Sequence, residues 1–168
     1  MCIKFRFIFT LFSLLISRFI AMYFIPLNHT AEARYGEIAR KMLEQKTWIT
    51  PLHDYGIPWA KPPLSMWLTA FSMKLFGINE WAARLPSLLL SIGILGFIWC
   101  WAKKQSSSLT ALIALLVLAD SLGFLANAGT VMTDSSLLFS LTLCLIAYWF
   151  AIIENNKTWG YLFFLGLG

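Results

Sequence analysis

A chain of 168 residues that is 59% hydrophobic and only 12% charged carries more apolar surface than one small soluble core can hide, which places it in a membrane. Its formal charge of +5 comes from cations clustered beside apolar runs, with no basic stripe interleaved with aromatics, so the charge reports topology and not nucleic-acid binding. Cys2, Cys100 and Cys144 lie in or near apolar runs without Cys-x-x-Cys spacing, which argues against both a disulfide framework and a zinc site.

The first apolar run, about 5–25, has the ~20 residues that cross ~30 Å of hydrocarbon. Lys4 and Arg6 precede it, it contains Arg18, and it ends in Met-Tyr-Phe-Ile-Pro without a small-x-small cleavage pattern; it is predicted to be a retained span. A long loop, 26–80, follows. Within it Thr30 is expected to cap a helix whose Tyr35, Ile38, Ala39, Met42 and Leu43 share one side, while Glu37 can pair with Lys41 and Arg40 with Glu44 on the other. Too short and too charged to span, this helix is expected to lie along the outer membrane surface. The stretch "TPLHDYGIPWA" reads as turn and loop. Pro62-Pro63 and Gly77 then bracket a second short helix, "LSMWLTAFSMKLF", apolar nearly all round and expected in the interface or against the spans.

Further spans are predicted at about 81–102, 109–126 and 133–153, and 159–168 begins another without the length to finish it. Lys103 and Lys104 follow the second span and Lys157 follows the fourth. By the positive-inside rule the N-terminus, 103–108 and 154–158 face the cytoplasm, and the loops 26–80 and 127–132 face outward together. The fold expected is an all-α integral membrane bundle with short amphipathic helices in its first outer loop.

Several polar residues invite two readings each. Glu32, in the first turn of the first loop helix, either complements the helix N-terminus or acts as a base, with Gly36 leaving space below its carboxylate. Lys61, held extended by the prolines after it, either snorkels to the headgroups or holds a phosphate. Asp134, opening the fourth span on the same side, is either a helix cap or a second carboxylate able to position and deprotonate an acceptor. Arg18 and Asp120 each fall inside a predicted span, where an isolated charge costs at least ~2.5 kcal/mol, and similar depths predict that they pair. His29 and His53 lack metal-ligand spacing and read as ordinary loop residues.

Taken together, "AEARYGEIARKM", Trp48-Ile49-Thr50-Pro51, "KPPLSMWL", the Phe76–Pro86 stretch "FGINEWAARLP" and "TVMTD" resemble the N-terminal part of the polyprenyl-phosphate-dependent glycosyltransferases of the GT-C fold, in the ArnT and protein-mannosyltransferase-like group. The resemblance covers almost the whole chain. It implies inverting transfer of a sugar from a polyprenyl-phosphate donor, such as an undecaprenyl-phosphate sugar, to a lipid A-like or protein acceptor at the outer face of a bacterial inner membrane. It assigns Glu32 and Asp134 to catalysis and Arg34, Tyr35, Lys61 and Arg84 to substrate binding, with Lys61 and Pro62 at the donor phosphate, no metal and no certain cofactor. Three residues at two of these motifs depart from the pattern. Ala31 and His29 stand where relatives have a further carboxylate, and Ala60 stands where an acid often precedes the Lys-Pro pair. Relatives continue through about a dozen spans, so a truncated chain with little independent activity is expected. The alternative is a non-catalytic membrane scaffold or decayed paralogue.

Overall fold

The computed structural model describes residues 2–24, 27, 30–49 and 63–167, and these are mostly helical, with no strand among them. The helices are α1 (Cys2–Phe24), α2 (Thr30–Gln45), α3 (Leu64–Phe76), α4 (Glu80–Gln105), α5 (Ser108–Asp120), α6 (Leu122–Asn127), α7 (Asp134–Ile153) and α8 (Lys157–Leu167). Two of them, α4 and α7, are long and apolar enough to cross a membrane outright; shorter apolar stretches occupy Phe9–Phe24 of α1 and all of α5. Large hydrophobic side chains such as Phe5, Phe9, Phe12, Leu89, Val117, Leu145 and Phe164 are exposed. An outer surface of this composition suits lipid and not water.

The first loop helix forms where its stripe predicts. Ile38, Ala39 and Met42 of α2 are buried, and both expected ion pairs are present, Glu37 with Lys41 at 3.9 Å and Arg40 with Glu44. Arg40 also reaches Glu37 at 2.6 Å and, from Nε, at 2.8 Å. That guanidinium holds the Glu37 carboxyl below its usual range. The apolar stripe, however, is spent on protein. It packs on Met66, Ala70 and Met73 of α3 and on Ala82 and Ala83 of α4, whose small side chains admit a close approach, so this face is not the one that meets a membrane surface. The hydroxyl group of Thr30 lies outside the described residues, as do His29, His53 and the loop 50–62.

Helix α3 runs between its predicted stops, from Pro63 to Gly77, the latter at φ +88° where a glycine is favoured. Its junction with α4 is a polar weld. Asn79 caps α4 by accepting from the Ala82 amide at 2.7 Å. Pro86, inside α4, has no N–H to donate to the carbonyl four residues back, and that carbonyl, Ala82 O, instead accepts from the Ser72 hydroxyl of α3 at 2.6 Å.

The third predicted span is broken. Ser121 leaves the helix, donates its hydroxyl to Leu118 O at 2.8 Å and accepts from the Phe124 amide at 3.4 Å, ending α5 at Asp120 and starting α6 at Leu122. Asp120 is therefore an exposed residue at a helix end, while Arg18 is half-buried in α1, and no ion pair within 4.0 Å joins them. The helix does run unbroken to Asp120; the expected pairing fails because similar depth does not fix which side of a helix a residue faces, and Asp120 points outward from the bundle.

A second core joins Ile94 and Leu95 of α4 to Leu115 and Ala119 of α5, Phe124 of α6 and Ala128, with Leu11, Leu14 and Leu15 of α1 against it. Helix α8 lies on α7, where a Cβ at Gly166 would meet Cys144 Sγ at 2.8 Å. At the far end of the bundle, Lys104 pairs with Glu154, Trp101 meets Trp149 at 6.2 Å and Phe150 meets Trp159 at 4.7 Å. The α4–α5 and α7–α8 turns thus lie at one end, and the start of α2 and the α6–α7 turn lie at the other.

Candidate functional site

Glu32 stands on the buried stripe of α2, one turn before Tyr35 and two before Ala39, so the packing that buries Ala39 and Met42 also carries this carboxylate inside. Arg84 occupies the corresponding place on α4, on a buried stripe continued by Ser87, Leu88 and Ser91. The two meet 52 residues apart in sequence. Arg84 Nε donates to Glu32 Oε1 and Arg84 Nη2 to Glu32 Oε2, both at 3.0 Å, in a bidentate pair whose side chains are only 4% and 8% exposed.

Two backbone groups complete the arrangement. Arg84 Nη1 donates to Met22 O at the end of α1, at 3.1 Å, and the Val131 amide donates to Glu32 Oε1 at 3.0 Å. The turn carrying Val131 is tightly built. Gly129 adopts φ +77°, and a Cβ there would stand 2.6 Å from Met22 Sδ. Thr130 Oγ1 and Ser135 Oγ both donate to Asn127 O, at 3.1 and 2.9 Å. One ion pair therefore ties α1, α2, α4 and the α6–α7 turn together.

A carboxylate offers about four lone-pair positions. Three donors already occupy the Glu32 oxygens, which leaves roughly one position for an incoming hydroxyl. Gly36 is buried, and a Cβ there would meet only Leu27 Cδ1, in ordinary contact at 3.6 Å, so the glycine leaves room for about a methyl group on this side of α2.

The other predicted residues fall as follows. Asp134 is half-buried, three residues past Val131, and is the first residue of α7; Thr133 takes the cap position without a side-chain capping bond, so Asp134 complements the helix N-terminus from inside it. Tyr35 is half-buried beside a narrow crevice lined with Ser65, Met66, Thr69, Val131 and Met132. Arg34 is exposed on α2. Lys61 and Pro62 lie outside the described residues.

The structure thus brings Glu32, Arg84 and the segment leading to Asp134 to one end of the bundle. Sequence reasoning missed that Glu32 and Arg84 belong to each other, and missed the Val131 amide and the Met22 carbonyl. The signal available was positional: each charge sits on the apolar stripe of its own helix, where only an opposite charge makes burial tolerable.

Comparisons with known proteins meet this geometry. The family model described as dolichyl-phosphate-mannose-protein mannosyltransferase matches residues 60–168. An uncharacterized protein of Aquifex aeolicus is 30% identical over 163 residues, covering 93% of this chain and 32% of its own length. The undecaprenyl phosphate-alpha-4-amino-4-deoxy-L-arabinose arabinosyl transferase of Pseudomonas savastanoi pv. phaseolicola is 32% identical over 159 residues, covering 86% of this chain and 28% of that protein. The crystal structure of ArnT from Cupriavidus metallidurans in the apo state superposes with a TM-score of 0.82 at 22% identity, over 97% of this chain and 31% of that one. The chain spans about a third of the length of the curated relatives it matches.

Proposed function

The chain belongs to the dolichyl-phosphate-mannose-protein mannosyltransferase family, and from that premise we propose that it carries part of the catalytic site of a polyprenyl-phosphate-dependent glycosyltransferase. The donor is a sugar on undecaprenyl phosphate, and the acceptor is a hydroxyl of a lipid A-like molecule or a protein. The chain sits in a bacterial inner membrane with its N-terminus and the Lys104–Glu154 end cytoplasmic and the Glu32 end outside.

In this reaction an acceptor oxygen attacks the anomeric carbon from the face opposite the phosphate, the bond from that carbon to the phosphate oxygen breaks, and polyprenyl phosphate leaves. The acceptor proton passes to a carboxylate. Asp134 is that base, and Glu32 sets its place: clamped by Arg84, it holds the Val131 amide and so fixes the turn from which Asp134 emerges. The remaining lone pair of Glu32 is available to orient the acceptor hydroxyl. Lys61, with Arg34 and Tyr35, takes the donor phosphate, whose charge grows as the bond breaks.

The observation that supports this reading is the Glu32–Arg84–Val131 junction, which gathers three separate sequence motifs at one end of the bundle. Sugar transfer from a polyprenyl-phosphate donor, compared in wild type, Glu32→Gln and Lys61→Ala, tests it. Transfer by the wild type that falls in both variants supports the enzyme; equal rates in all three, or none in any, support a non-catalytic scaffold.

A further inference from the structure

A second cavity, of about 490 Å³, lies between the ends of α2 and α3 and the turn into α4, and neither Glu32 nor Asp134 lines it. Its wall joins two cations, Lys46 and Lys74, to the indole of Trp48 and the apolar side chains of Leu43, Met73 and Ile78. Among the described residues neither ammonium has an acidic partner. The nearest turn of α2 offers no free acid either, because Glu44 is engaged by Arg40.

The wall is built and not merely adjacent. Lys46 ends α2 at φ +56°, the left-handed region uncommon for a lysine, and this reversal sends the chain back so that Trp48 O accepts from the Trp67 indole of α3 at 2.7 Å. Trp48 and Lys46 are thereby fixed against the helix that carries Lys74. The bland account of the two lysines is that each offsets the partial negative charge of a helix C-terminus. That account explains neither the cavity nor its apolar floor.

We propose that this cavity binds the phosphate headgroup of an anionic lipid, with the phosphate between Lys46 and Lys74, the headgroup edge on Trp48 and the start of the hydrocarbon chain along Leu43, Met73 and Ile78. Two point cations suit a phosphate, an indole suits the headgroup level, and the floor suits a tail. The inference rests on the reading that this end of the bundle meets a membrane surface.

The test is native mass spectrometry of the detergent-solubilised chain with added phosphatidylglycerol or phosphatidylcholine, with folding of each variant checked by circular dichroism. The wild type should retain phosphatidylglycerol selectively. The double variant Lys46→Gln, Lys74→Gln should bind it roughly 30-fold more weakly, from about one lysine's worth of attraction at each position. Phosphatidylcholine binding should not change, and Lys103→Gln with Lys104→Gln should keep the selectivity. Unchanged phosphatidylglycerol binding in the first double variant, or equal binding of the two lipids by wild type, overturns the inference. Displacement of the lipid by an equal concentration of inorganic phosphate marks a site for the free ion and overturns the lipid assignment. Selective retention by a chain that transfers no sugar leaves this inference standing while the enzymatic reading fails.

Discussion

Replacing Arg84 by Gln removes a guanidinium that satisfies both oxygens of a buried carboxylate and the carbonyl of Met22. Only the Val131 amide would then face the Glu32 charge. Breaking a buried pair from one side costs about 3–5 kcal/mol, because the partner's charge stays behind without compensation. Glu32→Gln should cost less than Arg84→Gln, since the amide oxygen of Gln can still accept from Val131 and Arg84 keeps Met22 O. The double variant leaves no uncompensated charge, so its loss should fall short of the sum of the singles by at least about 1.5 kcal/mol. Unfolding midpoints and slopes in mixed detergent micelles, titrated with denaturing detergent, measure all four proteins. Single losses under about 1 kcal/mol, or additivity within about 0.5 kcal/mol, would refute the view that this pair is the junction of four chain segments.

Three further outcomes follow from particular contacts. Ser72→Ala should cost about 1 kcal/mol in wild type but close to nothing in a Pro86→Ala background, where a restored amide can reach Ala82 O; equal cost in both backgrounds would separate the hydroxyl from the proline. Gly129→Ala should destabilise by at least ~1–2 kcal/mol for its left-handed backbone, with further loss from the methyl against Met22 Sδ, and Met22→Ala should recover only the second part. Glu37 has a carboxyl depressed below 4.5 by hydrogen bonding to Arg40, so its contribution is fully present above that value and disappears as pH falls through the lower folded value. Arg40→Gln should abolish that acid-side loss at low salt, as read from the Glu37 titration by NMR, and the difference should shrink in high salt because the pair is half-exposed.

The elements most legible in the sequence were those with local punctuation. Pro63 and Gly77 delimit α3, and the spacing of Ile38, Ala39 and Met42 gives the buried side of α2 with both of its ion pairs. The break at Ser121 was not legible, because 109–126 is apolar apart from Thr110, Asp120 and Ser121, and a serine hydroxyl can end one helix and cap the next with no proline at the break. The apolar side of α2 was assigned to the membrane surface because a stripe does not say what covers it. Ala82 and Ala83, small and unremarkable in sequence, are what let α4 cover it. At the candidate site, spacing brought out Glu32 and Asp134 as individuals, while the bond that organises the region links residues 52 apart and depends on two backbone groups that carry no side-chain signature. Arg18 and Asp120, the charges that fall inside predicted spans, stand at a half-buried face and a helix end. The charges that needed each other were those on the stripes of α2 and α4.

The most direct test of the proposed division of labour is the rate of sugar transfer from a polyprenyl-phosphate donor by Asp134→Asn, taken together with its unfolding midpoint. If Asp134 is the base that the Glu32–Arg84 junction positions, transfer falls by at least about 100-fold while the midpoint stays near that of the wild type. Transfer at the wild-type rate in this variant would contradict the account.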